Sequence, residues 1–237
     1  VAEGEPQEDL VGVDLRRFGP FHNDVDWLRS RVAEVLGLHY AVPWPNREMT
    51  SGRDQRRSPV HERLAERGAW FGARMGWERP NVFTSDDPAS TYTWDKPAWL
   101  DDCIREQEAC RREVALFDQT SFSKYAVSGP GALETLQWVC AADVDVPVGQ
   151  CVYTPWLSSR GTYEADLTVT RTAADEFLVV SSSATTVRDL DWIARHARPG
   201  TELEDLTEDF AVLGVMGPGS RSLLGGLTDD DLGDEAF

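Results

Sequence analysis

The chain has 237 residues, of which 41% are hydrophobic and 10% aromatic, a composition typical of a globular protein with a substantial core. Its formal net charge is −18, and residues 201–237 alone carry ten acidic residues and one basic residue. Such a surface repels nucleic acids and anionic lipids, and no apolar run reaches membrane-spanning length, so we expect neither nucleic acid nor membrane as a partner.

The elements of the first half of the chain are predicted to surround a tryptophan-rich region. Residues 1–20 are predicted to be extended, and an apolar stripe before Gly37 predicts a helix over residues 23–36. Residues 38–57 are predicted to be irregular, and a short helix follows, capped by Ser58 and ended by Gly68. The segments 76–83 and 86–94 are predicted to be loops, and six of the nine tryptophans lie before residue 100.

From residue 99 onward, helical and strand patterns alternate along the chain. Helices are predicted over residues 101–115 and 185–197, and two further helices are predicted to begin at residues 130 and 218. Strands are predicted over residues 122–128, 150–157, 163–171, 176–182 and 210–216. This order predicts an α+β fold, in which a mixed or antiparallel sheet is covered by helices.

The segment RGTYEADLTVTR, residues 160–171, contains an acidic residue that a strand does not favour. Asp166 shares one face of the predicted strand with Thr168 and Thr170, while Leu167 and Val169 share the other face. The alternation alone is typical of a solvated sheet face. Because Asp is disfavoured inside strands, Asp166 is nevertheless a candidate functional residue.

Sequence motifs for the common catalytic and cofactor sites are missing from this chain. Neither a G-x-G-x-x-G turn nor a phosphate-binding P-loop is found, the four histidines are scattered, and no serine lies in a G-x-S-x-G context. The four cysteines form no C-x-x-C pair, and we expect all four to be small, buried, apolar residues in a reducing compartment. Since the N-terminus lacks the features of a signal peptide, we expect a cytoplasmic protein. The scattered histidines and the missing C-x-x-C pair predict no metal site.

Several longer segments resemble the aminomethyltransferase (glycine-cleavage T-protein) superfamily. They are LFDQTSFSKYAVSG at 116–129, ADVDVPVGQCVYTPWLSSRGTYEADLTVTR at 142–171, FLVVSSSA at 177–184 and LGVMGP at 213–218. The sequence that precedes these segments, from VAEGEPQEDLVGVDLRRF onward, resembles the dimethylglycine and sarcosine dehydrogenase/oxidase family. The resemblance implies that residues 1–20 are the tail of an FAD-dependent oxidoreductase domain. It also implies that residues 21–98 are its central domain and that residues 99–237 are the N-terminal part of a folate-binding domain.

The resemblance also implies a function and a set of site residues. Enzymes of this family use FAD to oxidise an N-methyl amine to an iminium, and a folate domain captures the one-carbon unit as 5,10-methylenetetrahydrofolate. The matching motif places Asp166 beside the folate nitrogen N5, where a carboxylate stabilises positive charge or accepts a proton. Phe122 matches a pterin-contacting apolar position, and Val180 matches a position that makes a backbone contact. Ser182 replaces an asparagine, and Tyr153 is either a site residue or a packing residue.

Two hypotheses remain open at this stage. In the first, the chain is the middle of such an enzyme and has a partial tetrahydrofolate site, while FAD belongs only to the full-length parent. In the second, it is a non-catalytic regulatory or assembly subunit, or a truncated product, on the same scaffold. We expect the isolated chain to carry no flavin, to bind folate poorly, and to associate with itself, with an FAD-domain subunit or with the remainder of the folate domain.

Overall fold

A computed structural model of the protein describes residues 10–88 and 92–234. These residues form two compact units. The sheet unit consists of the described residues up to Val25 together with Ser121–Phe210, and the tryptophan unit consists of Asp26–Thr120 together with the described residues from Ala211. The domain boundaries expected after residues 20 and 98 stay predictions.

The regular elements are numbered in chain order. The helices are α1 (Val25–Leu38), α2 (His61–Glu66), α3 (Leu100–Arg112), α4 (Ala132–Val139), α5 (Thr186–His196) and α6 (Ser220–Leu224). The strands are β1 (Ala69–Arg74), β2 (Trp77–Phe83), β3 (Ala115–Asp118), β4 (Ser123–Ser128), β5 (Cys151–Leu157), β6 (Tyr163–Ala173), β7 (Glu176–Ser181), β8 (Glu202–Asp205) and β9 (Leu213–Met216). No helix in the described ranges combines the length and hydropathy that a membrane crossing requires.

In the tryptophan unit, the prediction of a loop over residues 76–83 is wrong, because this segment is β2, paired antiparallel with β1. Met75 and Gly76 both have positive φ, 51° and 80°, as a two-residue hairpin turn with the twist of the strands requires. Pro80 lies opposite Phe71, next to a register shift, in a sheet of only two strands, where a missing N–H donor is tolerated.

Three further local predictions differ from the structure. The segment expected to be extended contains short 3-10 turns at Val11–Val13 and Leu15–Arg17. Ser58 does not cap α2 through its side chain, because its hydroxyl donates to Asp118 at 2.5 Å. Strand β3 pairs antiparallel with β9, so the helix predicted over 101–115 ends before Ala115.

The sheet unit is built on five antiparallel strands in the order β5-β6-β7-β4-β8. One face of this sheet is buried under α4 and α5, and the core residues include Tyr125, Leu136, Trp156, Val169, Phe177, Val179 and Ile193. The acidic strand β8 was not predicted, because its sequence ELED lacks the β-branched residues of a typical strand. The predicted α+β class with an antiparallel sheet and covering helices is confirmed.

The cysteines depart from the expected burial. Cys151, at the start of the outer strand β5, is exposed, and Cys103, Cys110 and Cys140 are only partly buried. The prediction of four buried cysteines is therefore wrong. Cys151 is exposed because strand alternation places its side chain on the face of the sheet opposite the core, beside exposed Tyr153.

A buried carboxyl group joins α5 to the sheet. Asp189 is 1% exposed and accepts hydrogen bonds from Ser181 Oγ at 2.6 Å and Thr185 Oγ1 at 2.8 Å. Burial disfavours the charged form and raises the pKa of Asp189 from 3.8 to about 6. The folded protein therefore holds this proton more tightly than the unfolded chain does.

Replacing Asp189 by Asn should change how stability depends on pH. The proton held by folded Asp189 stabilises the protein at low pH, and this contribution is lost as the pH rises from about 4 through about 6, at a cost of about 3 kcal/mol. The free energy of unfolding of Asp189→Asn, minus that of the unchanged protein, should therefore increase by about 2 kcal/mol between pH 4 and pH 7, because a small part of the effect is already lost at pH 4. Urea unfolding at the two pH values measures this difference, and exposed Asp175→Asn is the control. A difference that does not vary with pH would contradict the assignment.

Candidate functional site

The candidate residues lie on the face of the five-stranded sheet that points away from the core, which we call the open face. Along β6, Leu167 and Val169 are 3% and 1% exposed, whereas Asp166, directly before Leu167, is exposed. The alternation of buried and exposed residues that the sequence predicts is therefore present in the structure, and it places Asp166 on the open face.

The strand register aligns four open-face residues in one row across the sheet. Tyr153 pairs with Thr168, Thr168 with Val180, and Val180 with Lys124. Because directly paired residues point to the same side of a sheet, these four side chains share the open face. Neighbouring strands lie about 4.8 Å apart, so the row extends over roughly 14 Å.

Tyr153 and Asp166 are neighbours on this face. The Asp166 carboxylate raises the pKa of Tyr153, because a nearby negative charge stabilises the protonated phenol. The side chain of Tyr153 is 68% exposed, so it does not belong to the packed core. The structure thus joins two of the residues that the sequence singled out.

The strand segment before Asp166 is fixed to helix α5. The guanidinium of Arg188 forms an ion pair with the side chain of Glu164, and it also donates to the Glu164 backbone carbonyl. Arg188 and Glu164 are only 13% and 21% exposed, which makes this pair better shielded than a typical surface salt bridge. Since Glu164 precedes Asp166 by two residues, the contact restrains the backbone that carries the candidate carboxylate.

Phe122 and Ser182 lie at the end of the row that is formed by β4 and β7. They flank the pair Ser123–Ser181, and Phe122 is half-buried while Ser182 is exposed. The hydroxyl of Ser182 accepts a hydrogen bond from Ala184 N at 3.2 Å, and its carbonyl accepts one from Ser123 Oγ at 3.1 Å. Ser182 therefore begins the turn that leads into α5. None of these hydrogen bonds links Phe122 or Ser182 to Asp166.

Sequence reasoning missed Lys124. It is one of only two lysines in the chain, it lies on the same row as Val180, and it is 1% exposed. A lysine in a strand between a serine and a core tyrosine was a signal that could have been followed, because Lys is almost never fully buried without a specific environment. Among the described residues, no group of three or more His, Cys, Asp or Glu side chains is arranged to hold a metal ion.

Comparison with protein families identifies two regions of the chain. Residues 60–237 match the model of the GCVT N-terminal domain, and residues 3–58 match that of the FAD dependent oxidoreductase central domain. These matches confirm the resemblance that the sequence motifs indicated.

Curated relatives extend this result over the whole chain. A 4-methylaminobutanoate oxidase (formaldehyde-forming) of Paenarthrobacter nicotinovorans is 41% identical over 100% of this chain and 29% of its own length. Human mitochondrial sarcosine dehydrogenase is 32% identical over 100% of this chain and 30% of its own length. The mouse mitochondrial pyruvate dehydrogenase phosphatase regulatory subunit is also 32% identical, over 95% of this chain and 27% of its own length. The chain thus spans less than a third of these relatives.

A solved structure supports the fold. The glycine cleavage system aminomethyltransferase T from Bartonella henselae superposes with a TM-score of 0.61 and 24% identity, over 73% of this chain and 44% of that one. The predicted likeness to an aminomethyltransferase fold is therefore confirmed. Because the family model covers most of the sequence, the chain belongs to the GCVT N-terminal domain family.

Proposed function

We propose that this chain is the part of an N-methyl amine oxidoreductase that contributes to tetrahydrofolate binding and to one-carbon transfer, with 5,10-methylenetetrahydrofolate as the product. The observation that carries the proposal is the Asp166 carboxylate, which lies on the open face beside Tyr153 and raises the pKa of that phenol. The names of the oxidase and dehydrogenase relatives support the reaction class.

The chemistry of the open face suits a flat heterocycle that carries nitrogen donors. The exposed phenol ring of Tyr153, the aliphatic side chain of Val180 and the half-buried ring of Phe122 supply apolar contact area. Thr168 and Asp166 supply hydrogen-bonding groups between them. A row of roughly 14 Å is long enough to accommodate a two-ring system.

The residues of the open face would act mainly through charge and position. Tetrahydrofolate supplies the nitrogen nucleophile that takes up the one-carbon unit. The Asp166 carboxylate stabilises positive charge that develops beside it, or it accepts a proton on its oxygen. We infer that Tyr153, whose phenol lies beside this carboxylate, donates a hydrogen bond to it when folate binds and so keeps it oriented. The Arg188–Glu164 contact restrains the strand. The oxidation step requires FAD, which we assign to the longer parent protein and not to this chain.

Replacing Asp166 by Asn in the full oxidoreductase should separate its two activities. Amine oxidation should be nearly unchanged, because it takes place at the flavin. Formation of 5,10-methylenetetrahydrofolate should fall by about 10²-fold or more, as is typical when an acid/base group is lost. Both rates can be measured on one preparation, from flavin reduction and from the folate product.

The control for this experiment is Glu176→Gln, which removes an exposed acid at the start of β7. It should leave both rates unchanged. An equal loss of both activities in Asp166→Asn would show that Asp166 has a structural role only.

Replacing Tyr153 by Phe tests the hydrogen bond and keeps the ring. Loss of one hydrogen bond to a charged group on an exposed face should reduce the rate of one-carbon transfer by about fivefold, with little effect on the KM for tetrahydrofolate. Tyr153→Leu, which also removes the ring, should raise KM as well. If Tyr153→Phe has no effect on the rate, Tyr153 does not orient the carboxylate.

The second candidate function is a non-catalytic regulatory role. One relative of equal identity to sarcosine dehydrogenase is named as a phosphatase regulatory subunit. If this candidate is correct, the full protein forms no folate product at any substrate concentration, with Asp166 present or replaced. The cytoplasmic location and the protein partners expected above stay predictions.

A further inference from the structure

Helix α5 is held by an arginine of the N-terminal segment. Asp14 caps the 3-10 turn Leu15–Arg17, because its carboxylate accepts the backbone N–H of Arg16 at 2.8 Å. The two oxygens of this carboxylate also accept the Nε–H of Arg16, each at 3.0 Å. A guanidinium held by both oxygens of a carboxylate is fixed in direction, so the turn presents Arg16 in one orientation.

Arg16 contacts α5 at a position far away in the sequence. Its Nη1 group forms an ion pair with Asp191, which lies 175 positions further along the chain. Asp191 also pairs with Arg195, one helical turn later, at 2.7 Å. The side chains of Arg16 and Asp191 are 35% and 33% exposed, so water screens their contact less than it screens a fully exposed ion pair. Arg16 thus ties the N-terminal segment to the middle of α5.

Arg188 lies next to this contact on the same side of α5. It precedes Asp191 by three residues, a spacing that makes two helical side chains neighbours. The pKa of Asp14 is lowered to about 2, mainly by the hydrogen bonds from Arg16, and the positive charge of Arg188 contributes to this shift. The ion pair between Arg188 and Glu164 therefore lies close to the N-terminal turn.

Six charged side chains of alternating sign form one group, which we call the charged network. They are Glu164, Arg188, Asp14, Arg16, Asp191 and Arg195. All six lie in the sheet unit. Because each charge is compensated by its neighbours, removing one member changes the contacts of the next. The charged network therefore connects the N-terminal segment with strand β6 through α5.

The charged network meets β6 at a β-bulge. The register between β5 and β6 shifts here and pairs Tyr163 and Ala165 with consecutive residues of β5, so Glu164 between them is left out of the register. A bulge interrupts the ladder of hydrogen bonds and bends the strand, and bulges are common next to active sites, where they change the direction of a side chain. Arg188 holds this bulge at both the side chain and the backbone carbonyl of Glu164.

We propose that Arg16 is a positioning residue for the open face. It holds α5 so that Arg188 stays on the bulge at Glu164, and the bulge sets the direction of Asp166 two residues later. Its role in one-carbon transfer rests on the proposed function, whereas the contacts themselves do not. Arg16 lies in the region that matches the FAD dependent oxidoreductase central domain, and Asp166 lies in the region that matches the GCVT N-terminal domain. The charged network thus makes the geometry of the second region depend on the seating of the first.

Hydrogen exchange of the 237-residue chain tests the coupling without any substrate. Arg16→Gln should speed the exchange of backbone amides in peptides that cover residues 163–167 by about fivefold, because the bulge loses its outside support. Glu164→Gln, which removes the ion pair at the bulge itself, should have an effect of similar size. The control is Arg29→Gln, which removes a 76% exposed arginine paired with Asp26 in α1 and should not change the exchange of these peptides. Unchanged exchange in folded Arg16→Gln would overturn the proposal.

A double variant distinguishes one network from two independent ion pairs. If Arg16 acts through Arg188 on the bulge, Arg16→Gln combined with Glu164→Gln should exchange no faster than Glu164→Gln alone. Multiplied effects would show that the two contacts are independent, which contradicts the assignment. Arg16→Lys keeps the charge but loses the forked contact, so it should show a smaller increase than Arg16→Gln. If Arg16→Gln does not fold, Asp191→Asn breaks the same contact from the helix and replaces it in the comparison.

The full oxidoreductase tests the consequence for the reaction. Arg16→Gln should lower kcat for the formation of 5,10-methylenetetrahydrofolate by about threefold with little change in the KM for tetrahydrofolate, because the carboxylate is displaced while the surface that binds the ring remains. Flavin reduction on the same preparation is the reference rate. A rise in KM alone would mean that the contact supports binding and not the position of Asp166, and it would overturn the proposal.

The proposed function and the positioning role of Arg16 fail separately. If the unchanged oxidoreductase forms no folate product, the proposed function is rejected, while hydrogen exchange still decides whether Arg16 is coupled to the bulge. If the product forms and Asp166→Asn lowers its rate, but Arg16→Gln leaves kcat unchanged, the positioning role of Arg16 alone is rejected.

Discussion

The packing of one sheet face against α4 and α5 fixes the position of every candidate residue in the sheet unit. A row of core residues, Val169, Val179 and Tyr125, runs across three neighbouring strands and is 0–1% exposed. Because side chains alternate along a strand, burying this row forces the next row, from Tyr153 to Lys124, onto the open face. A shift of one residue in the register of any strand would move its core residues to the open face and its open-face residues into the core.

Charged contacts then attach the surrounding segments to this sheet. Arg16 pairs with Asp14 and with Asp191 of α5, and the hydrogen bonds from Arg16 lower the pKa of Asp14 to about 2. Residues 14–16 match the oxidoreductase central domain, yet they contact a helix from the region that matches the GCVT domain. The boundary between the two family matches therefore differs from the boundary between the compact units. The family matches reflect sequence similarity, whereas the compact units are defined by contacts in the structure.

The sequence was sufficient where periodicity determines the structure. The alternation around Asp166 predicted both its strand and its face, and the helical stripe after Asn23 predicted a helix that the structure has over Val25–Leu38. The sequence was insufficient to predict a strand where pairing with a neighbouring strand overrides the local conformational preference of the residues. Strand β2 contains a proline, and the acidic strand β8 has little β-propensity, so both depend on partners that a local pattern does not contain.

The candidate site was predictable in part for the same reason. Strand periodicity identified the faces of Asp166 and Tyr153, but their contact depends on the register between β5 and β6, which aligns Pro155 with Asp166. Lys124 is 1% exposed although it lies in the open-face row, and the position of its strand between β7 and β8 is set by the strand order. Neither the register nor the strand order can be read from a single strand.

The alternation of core and open-face positions along the strands also affects what sequence identity can indicate about function. Identity over the whole chain counts both kinds of position equally, and the core positions are constrained in any protein with this fold, whether it is an enzyme or a regulatory subunit. A dehydrogenase and a regulatory subunit can therefore be equally similar to this chain, as the two relatives at 32% identity are. The discriminating information lies in the open-face residues, where an exposed carboxylate beside an exposed phenol has no role in packing. Asp166 and Tyr153 thus favour the catalytic alternative more strongly than the overall identity does.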